Sequence, residues 1–391
     1  MKKIVLTAGG SGGHITPILA VAAEIKRLDP NAFLIYIGQK GDIFGDVTGI
    51  DNDIDKTYKV RAGKFRRYPG AGLKQLLDIR TFLKNGRDLF FVIIGIFQSY
   101  LILRKVRPDM VFSRGGYVSV PVCLGAKLNK IPYITHDSDS IASLANRIIA
   151  PWALKHFVSM PEETYRYPLD KTINTGIPLN PNFVKVTPGL KSMYRKKLNI
   201  DSRKKVLMVI GGGQGAKDLN NLFIKITPKL FESIPDLCII HLVGKSNYDD
   251  ALNKYRKVLD QEQLENCNLI DYTNEVYTYS GASDLIITRA GATNLAEFAI
   301  QSKPCIVVPS SYLAAGHQIE NAYLFARSGA VELIIDKDLA KNKDLLRDKI
   351  LALINSEKDL KKLSDNIFKF AKPESTHKIA KLIIELASNR N

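Results

Sequence analysis

The chain has 391 residues, which is enough for two domains of ordinary size, each with its own core. Apolar residues make up 45% of it and charged residues 24%, values typical of a folded soluble protein. The four cysteines lie far apart and form no Cys-x-x-Cys pair, so we expect buried thiols and neither a disulfide framework nor a zinc site. No apolar run reaches the roughly 18–20 residues of a membrane span, and the short run after Met1 does not predict a signal peptide.

Positive charge is concentrated in one segment of the chain. The formal net charge is +17, and residues 56–107 contribute 13 Lys or Arg against two acids, Asp78 and Asp88. That segment therefore carries +11 of the total. A surplus this local predicts a surface that meets an anionic partner.

The N-terminal residues predict a strand, a glycine loop and a helix. An apolar strand at residues 3–7 runs into Gly9-Gly10-Ser11-Gly12-Gly13-His14, and a helical pattern covers residues 18–25, with Pro17 in its first turn. Such a loop can bind phosphate, although it matches neither the Rossmann dinucleotide fingerprint nor a P-loop. His14 is a candidate proton acceptor. The alternative is that His14 only caps the turn.

The basic segment also holds the longest apolar run of the chain. A strand is expected at residues 33–37, and leucines at 73, 76, 77 and 83 share one face of a predicted helix. Residues 89–103 follow, apolar almost all round and flanked by Arg87 and by Arg104-Lys105. Such a helix is either core or lipid-facing. We favour a mixed role, with one face in the core and the region of residues 65–97 touching an anionic membrane.

Polar residues follow the next two predicted strands. Residues 110–113 run into Arg114-Gly115-Gly116-Tyr117, a helix is expected at 120–128, and residues 133–135 end at His136-Asp137-Ser138-Asp139. The carboxyl ends of parallel strands are where open α/β sheets bind ligands, although an Asx-rich helix cap explains the second cluster equally well. Residues 157–158 and 171–174 are weak strands, and the turn-rich stretch 175–181 marks a domain boundary.

The second half repeats this theme. A strand at residues 205–210 leads to Gly211-Gly212-Gly213-Gln214-Gly215-Ala216 and a helix from about residue 219, and further strands are expected at 238–243 and 269–270. Residues 284–321 then read as strand, small-residue turn, helix from Asn294, and strand. The turn lets backbone N–H groups approach an anion, and Glu297 can hold ribose hydroxyls, which predicts a nucleotide or sugar-nucleotide cradle. An ordinary turn with a solvated Glu297 is the alternative.

Two halves that each open with strand, glycine loop and helix predict an α/β protein with two Rossmann-like, doubly wound parallel-sheet domains facing a cleft. We place the domains at residues 1–180 and 181–372. Residues 373–391 form a helix expected to pack back on the first domain. Nothing in the chain matches a helix-turn-helix, an RRM or a zinc finger, so nucleic acid is not an expected partner.

The order and content of six motifs resemble the MurG family, whose members have the GT-B fold and transfer N-acetylglucosamine (GlcNAc) to lipid I, making lipid II for peptidoglycan. The resemblance implies an inverting transferase that uses UDP-GlcNAc and needs no cofactor or metal. The motifs are GGSGGHITP (residues 9–17), RGGYVSVP (114–121), TGIP (175–178), GGGQGA (211–216), RAGATNLAEFA (289–299) and HQIENA (317–322).

The resemblance also implies roles for particular residues. The second domain holds UDP-GlcNAc, with Glu297 on the ribose hydroxyls, Gln318 on the sugar and the backbone of Thr273 at the uracil edge. In the first domain, His14 is the base for the acceptor's 4-hydroxyl. The backbone N–H groups of Ala292, Thr293 and Asn294 meet the donor diphosphate, Leu295 and Ala296 belong to the same site, Gly213 and Gln214 line it, and Ser11, Gly12 and Gly13 face the acceptor pyrophosphate.

The chain departs from the family in three places. Family members usually have Glu-Gln-Asn where Asp137-Ser138-Asp139 stands, Arg where Asn180 stands and Ser where Gly213 stands. Asp139 and Asn180 are nevertheless carried over as substrate-binding positions. The change to Asn180 removes a cation expected to face a diphosphate.

The expected partners are UDP-GlcNAc, a polyprenyl-diphosphate-linked acceptor and an anionic membrane surface contacted through residues 56–107. This predicts a peripheral protein on the cytoplasmic face of the cell membrane. Three alternatives keep much of the same chemistry. They are a glycosyltransferase with another lipid acceptor, a UDP-GlcNAc 2-epimerase, and a non-catalytic sugar-nucleotide-binding protein.

Overall fold

A computed structural model describes residues 1–9, 12–40, 53–64, 79–213, 215–310, 316–342 and 344–388, with the backbone alone at 12–14, 79–83 and 340. The chain divides into two compact units. Unit 1 consists of Met1–Pro181 and Glu374–Asn391, and unit 2 of Asn182–Pro373.

Unit 1 contains a parallel sheet in which seven strands are described, in the order β3-β2-β1-β4-β5-β6-β7. Strand β1 lies inside the sheet, between β2 and β4. Its residues Ile4, Val5 and Leu6 are fully buried, as expected when helices cover both faces of a parallel sheet. The chain leaves β1 in one direction and β4 in the other, so the topological switch point lies between them. The strands are β1 (Lys3–Thr7), β2 (Phe33–Gln39), β3 (Lys56–Val60), β4 (Met110–Ser113), β5 (Tyr133–Asp137), β6 (Lys155–Val158) and β7 (Thr172–Asn174).

In the described part of unit 1, four α-helices precede the second unit. The first helix begins at Gly12 and not near residue 18, so the expected position of Pro17 in the first turn was wrong by several residues. Gly12 and Gly13 therefore belong to the first turn, and Pro17, which has no N–H to donate, lies inside the helix. The helices are α1 (Gly12–Leu28), α2 (Ile79–Val106), α3 (Ser119–Leu128) and α4 (Leu144–Ile149).

Helix α2 has one packed face and one exposed apolar face. Its Gly95 lies so close to the loop after β3 that an added Cβ would come within 2.0 Å of the Arg61 carbonyl oxygen. Val92, Ser99 and Leu103 are buried on this side. Five apolar side chains on the other side, each between 50% and 63% exposed, form what we call the α2 stripe: Leu89, Phe90, Ile93, Phe97 and Leu101.

The predicted mixed role of residues 89–103 is confirmed as far as one face lies in the core. Of the described helices, only the segment at residues 84–106 is long and apolar enough to cross a membrane, and just 22% of its apolar window is buried. The predicted helix face at residues 73–77 lies outside the described residues.

Unit 2 contains a second parallel sheet, in which six strands are described in the order β10-β9-β8-β11-β12-β13. Its switch point lies between β8 and β11. The strands are β8 (Lys205–Ile210), β9 (Leu237–Leu242), β10 (Cys267–Ile270), β11 (Leu285–Thr288), β12 (Cys305–Val307) and β13 (Glu332–Leu333).

Helices cover this second sheet and complete its core. They are α5 (Pro188–Lys197), α6 (Lys217–Ser233), α7 (Tyr248–Val258), α8 (Gln261–Glu265), α9 (Val276–Ala282), α10 (Ala292–Ile300), α11 (His317–Arg327), α12 (Asp336–Lys341), α13 (Leu345–Ile354) and α14 (Glu357–Phe368).

The last helix, α15 (Ser375–Ser388), belongs to unit 1. Ile379, Ala380, Ile383 and Ala387 are buried in the same apolar cluster as α1 and the first sheet. The Thr376 hydroxyl donates to the Leu179 carbonyl oxygen at 3.0 Å and accepts from the Leu179 N–H at 3.0 Å. The sheet of unit 1 is thus covered by residues from both ends of the chain.

Candidate functional site

The carboxyl edge of the second sheet gathers the predicted donor-site residues. Because the strands are parallel, the segments that follow β8, β11 and β12 leave the sheet at the same edge. The glycine loop after β8 and the turn before α10 flank the switch point, where open α/β sheets bind ligands. Of that loop, Gly213 is exposed and Gln214 lies outside the described residues.

The glycine loop after β8 owes its course to close packing. A Cβ on Gly211 would lie 2.4 Å from that of Ala216, and one on Gly215 would lie 1.9 Å from the Val243 carbonyl oxygen. Gly212 and Gly215 have φ of +100° and +76°, which favours glycine. Sequence and packing therefore agree that this loop lies against the next strand.

The N-terminus of α10 presents unused donors. Its N-cap residue is Gly291, with φ −68° and ψ 127°, and no side chain caps the helix. The Gly291 position is open, since a Cβ there would meet nothing within 4 Å. The first-turn N–H groups at Ala292, Thr293 and Asn294 have no partner within the helix, and the helix dipole favours an anion beside them. The start of α10 is therefore open to an anionic group.

Glu297 lies one turn further along α10 and is half-buried. Burial raises the pKa of its carboxyl group to about 8, and no charged neighbour offsets that effect. Among the described residues no side chain hydrogen-bonds this carboxyl group. A protonated carboxyl group of this kind can both donate to and accept from a pair of hydroxyls.

Leu295 and Ala296 lie in different environments. The Leu295 side chain is fully buried in the core, and its N–H donates to the Gly291 carbonyl oxygen at 3.0 Å. Ala296 is half-buried. The backbone of Leu295 is thus already used inside the helix.

Two residues that sequence reasoning did not single out hold this site together. Arg289, only 8% exposed, donates from Nη1 to the Val308 carbonyl oxygen at 3.0 Å and ties β11 to β12. Asn321, fully buried on α11, donates from Nδ2 to the Ala290 carbonyl oxygen at 3.1 Å. In the sequence, both residues are polar residues within a motif, and that was the only indication that they contribute to the site.

Gln318 and Thr273 flank the same edge. The Gln318 Oε1 atom accepts from the Ser310 N–H at 3.0 Å, which holds the side chain at the end of β12. Thr273 follows β10 and accepts at Oγ1 from the Glu275 N–H at 3.0 Å, which shapes the turn. The Lys245 Nζ atom lies 5.0 Å from the Tyr272 ring centroid beside it.

In unit 1, the turns after β1 and β4 touch each other. A Cβ on Gly116 would come within 2.9 Å of the Gly9 Cα atom, and one on Gly9 within 3.1 Å of the Tyr117 nitrogen. Gly115 and Gly116 have φ of +81° and +84°. Ser11 lies outside the described residues, and Gly12, Gly13 and His14 are described by backbone alone, in the first turn of α1.

The polar cluster after β5 is a hydrogen-bonded network. Asp137 accepts from the Ser143 N–H at 3.0 Å and from the Tyr167 hydroxyl at 2.7 Å, and burial raises its pKa to about 6. His136 Nε2 lies 2.8 Å from the Gly176 carbonyl oxygen. The N-cap of α4 is Ser143, which lies outside residues 136–139, so the predicted Asx-rich cap is wrong for this helix.

The remaining predicted positions lie nearby in the chain. Asp139 is half-buried, and its carbonyl oxygen accepts from the Tyr165 hydroxyl at 2.8 Å. Asn180 is exposed at the end of the first segment of unit 1. In the part of the chain that is described, no group of three or more His, Cys, Asp or Glu side chains is arranged to hold a metal ion.

Both units match protein families of known type. Residues 4–158 match the glycosyltransferase family 28 N-terminal domain, and residues 206–381 match the glycosyltransferase family 28 C-terminal domain. The chain thus contains both domains of a family 28 glycosyltransferase.

Similar proteins with curated names indicate which kind of glycosyltransferase this chain resembles. A protein of Bacillus thuringiensis (strain Al Hakam) is 35% identical over 344 residues, which cover 88% of this chain and 89% of the relative. One of Clostridium kluyveri is 35% identical over 354 residues, covering 90% and 91%. Both are named UDP-N-acetylglucosamine--N-acetylmuramyl-(pentapeptide) pyrophosphoryl-undecaprenol N-acetylglucosamine transferase, the first with the number 3. This chain belongs to the MurG family.

Solved structures show the same fold. Acinetobacter baumannii MurG matches with a TM-score of 0.72 at 20% identity, covering 98% of this chain and 100% of that one. The UDP-GlcNAc 2-epimerase from Neisseria meningitidis matches with 0.67 at 15% identity and the same coverage. The predicted GT-B fold class, two Rossmann-like parallel-sheet domains, is confirmed.

Proposed function

We infer that this chain is a glycosyltransferase that moves GlcNAc from UDP-GlcNAc to undecaprenyl-diphosphate-linked MurNAc-peptide, lipid I, and so makes lipid II. The observation that carries this inference is 35% identity over 88% of the chain to a relative named for that transfer. The product supplies peptidoglycan and hence cell-wall biogenesis, cell shape and cell division.

The donor fits unit 2 by charge and by hydrogen bonding. The open N-terminus of α10 suits the diphosphate, and the uncapped N–H groups stabilise the negative charge that builds on departing UDP. Glu297 suits the two ribose hydroxyls, and the NH₂ group of Gln318 suits the sugar. Thr273 and Gly213 complete the donor site in this proposal.

The acceptor fits unit 1. Its 4-hydroxyl oxygen attacks the anomeric carbon of GlcNAc while the bond from that carbon to UDP breaks and UDP takes the electron pair. His14 receives the hydroxyl proton in this proposal. Direct attack from the side opposite UDP inverts the anomeric configuration.

The membrane surface is the second part of the proposal. Five half-exposed apolar side chains form the α2 stripe, and residues 56–107 carry +11. An apolar face flanked by basic residues is the arrangement of a peripheral protein on an anionic bilayer. We place the enzyme on the cytoplasmic face, where UDP-GlcNAc is available.

Transfer of labelled GlcNAc to a lipid I analogue tests the function, with UDP release followed in the same reaction. We expect a labelled disaccharide lipid and one UDP released for each GlcNAc transferred. Parallel reactions with a glycerolipid acceptor, and without acceptor to detect epimerisation, should give no product. Product only in one of those parallel reactions would reject the lipid I assignment.

A further inference from the structure

Arg114 is a buried arginine, and two nitrogen atoms of its guanidinium group form no hydrogen bond with any described residue. It directly follows β4, beside the two glycines with positive φ, and is only 2% exposed. Its Nε and Nη2 atoms are shielded from solvent and have no hydrogen-bond partner among the residues that the structure describes. These two donors form the edge with which a guanidinium binds a carboxylate or a phosphate through two parallel bonds.

A buried donor without an acceptor costs free energy, and a charged one costs more. Asp137 and Asp139 are close enough to stabilise the positive charge, but neither satisfies the Nε and Nη2 donors. Burial outweighs their effect and lowers the pKa of Arg114 to about 10, so the side chain still carries its charge at pH 7. The two aspartates explain why a buried positive charge is tolerated here. They do not explain why Nε and Nη2 of Arg114 lack a hydrogen-bond acceptor.

Unit 2 offers an internal comparison. Ser113, the last residue of β4, pairs with Thr7 at the end of β1, and Thr288, the last of β11, pairs with Ile210 at the end of β8. Arg114 and Arg289 therefore occupy equivalent positions in the two sheets. The Arg289 guanidinium donates a hydrogen bond to the Val308 carbonyl oxygen, at the end of the next strand. By contrast, no described residue accepts a hydrogen bond from Nε or Nη2 of Arg114.

The surroundings of Arg114 point to a phosphate. The Gly115–Gly116 turn has positive φ at both glycines and packs on Gly9, and the Gly115 N–H donates to the Ser113 Oγ atom at 3.3 Å, so the side chain of Arg114 supplies the donors discussed here. The Ser138 hydroxyl, which follows the neighbouring strand β5, is likewise buried, and no described residue forms a hydrogen bond with it. Because these donors are desolvated already, an arriving anion does not have to remove water from them.

We propose that the Nε–Nη2 edge of Arg114 binds the pyrophosphate of the lipid-linked acceptor and so makes Arg114 a specificity-determining residue for it. This rests on the proposed function, which supplies the acceptor. Phosphate and carboxylate oxygens fit the same edge, and the acceptor peptide also carries carboxylates. The experiment therefore separates the two sources.

The first test compares R114Q and R114K with wild type, using a short-chain acceptor that needs no membrane. We expect R114Q to raise the KM for the acceptor roughly 10- to 100-fold, the effect of losing charged hydrogen bonds. The KM for UDP-GlcNAc should stay within about twofold, since that substrate binds unit 2 in the proposed function. R166Q, which removes an exposed arginine of the same unit, should change neither constant.

R114K keeps the charge that balances the two aspartates but cannot offer two parallel donors. Its acceptor KM should rise as well, by less than that of R114Q. Thermal unfolding and calorimetric UDP binding check that each variant is folded. A folded R114K with the wild-type acceptor KM, or equal rises in both KM values, would overturn the proposal. Absence of turnover by the wild type would instead reject the proposed function.

Inhibitors separate the sources of the anion. Inorganic pyrophosphate should compete with the acceptor in the wild type, and this inhibition should weaken at least tenfold in R114K. MurNAc-pentapeptide without pyrophosphate should inhibit both proteins equally. The opposite pattern would assign the Arg114 edge to a carboxylate and contradict the pyrophosphate assignment.

Discussion

The carboxyl group of Glu297 is largely neutral at pH 7, because burial raises its pKa to about 8. Sequence reasoning selected this residue for its place in the motif and assumed an ordinary carboxylate. Burial of the side chain decides the protonation state, and the sequence around Glu297 does not show that burial. A neutral carboxyl group suits a pair of hydroxyls, which offer both donors and acceptors.

Replacing Glu297 tests its place in the donor site. E297A should weaken UDP binding by about 1–3 kcal/mol, since hydrogen bonds to the ribose hydroxyls are lost. E297Q should lose less, because the amide can also donate and accept. Titration calorimetry with UDP measures both, and E262A, at an exposed glutamate of the same unit, is the control. If E297A bound UDP as tightly as the wild type, Glu297 would not be part of the UDP-binding site.

The same carboxyl group predicts a pH dependence of stability. Its folded pKa lies above the ordinary value of 4.5, so the proton favours the folded state. The stabilisation is complete below about pH 4.5 and is lost as the pH rises through about 8. E297Q cannot titrate, so its free energy of unfolding relative to wild type should increase between pH 5 and pH 9. Urea unfolding at several pH values measures this, and a constant difference would contradict the raised pKa.

Arg114, Arg289 and Asn321 show which residues the sequence does not reveal. Each stands in a motif, but its role depends on burial and on a partner, or a missing partner, from another strand. A buried arginine and an exposed one have the same letter in the sequence. By contrast, the uncapped helix start at Gly291 follows from local sequence alone, since small residues between strand and helix leave it open.

At the scale of elements, strands buried on both faces were the easiest to predict. β1, β4 and β8 have the predicted bounds, because continuous apolar runs mark strands covered on both sides. β3 and β13 were missed. β3 is an edge strand with two lysines, and β13 has only two residues, so neither carries an apolar run.

Helix α2 supports a prediction of its own. F90D and F97D in combination should strongly reduce sedimentation with anionic vesicles, because a charge on the inserted face opposes burial in lipid. T164D, at an exposed position of the same unit, is the control. Turnover of a short-chain acceptor in solution should stay near the wild-type rate. Undiminished vesicle binding by the double variant would exclude the α2 stripe as the contact.

At the scale of the whole molecule, the +11 segment predicts salt-sensitive association with membranes. Binding to vesicles that contain anionic lipid should fall as salt rises from about 0.05 to 0.5 M, since the Debye length shrinks over this range. Neutral vesicles should bind more weakly and respond less. Equal binding to neutral and anionic vesicles at low salt would show that charge does not contribute.

The return of α15 to unit 1 has a consequence for synthesis on the ribosome. The cluster that buries α1 needs Ile379 and Ile383, which are translated after all of unit 2. At roughly 5–20 residues per second, the intervening segment takes on the order of 10–40 s to make. During that interval the α1 face of the nascent first unit lacks its cover, while unit 2 can fold as it emerges. The first unit to be made is therefore the last to be completed, and its exposed face is where a chaperone has time to act.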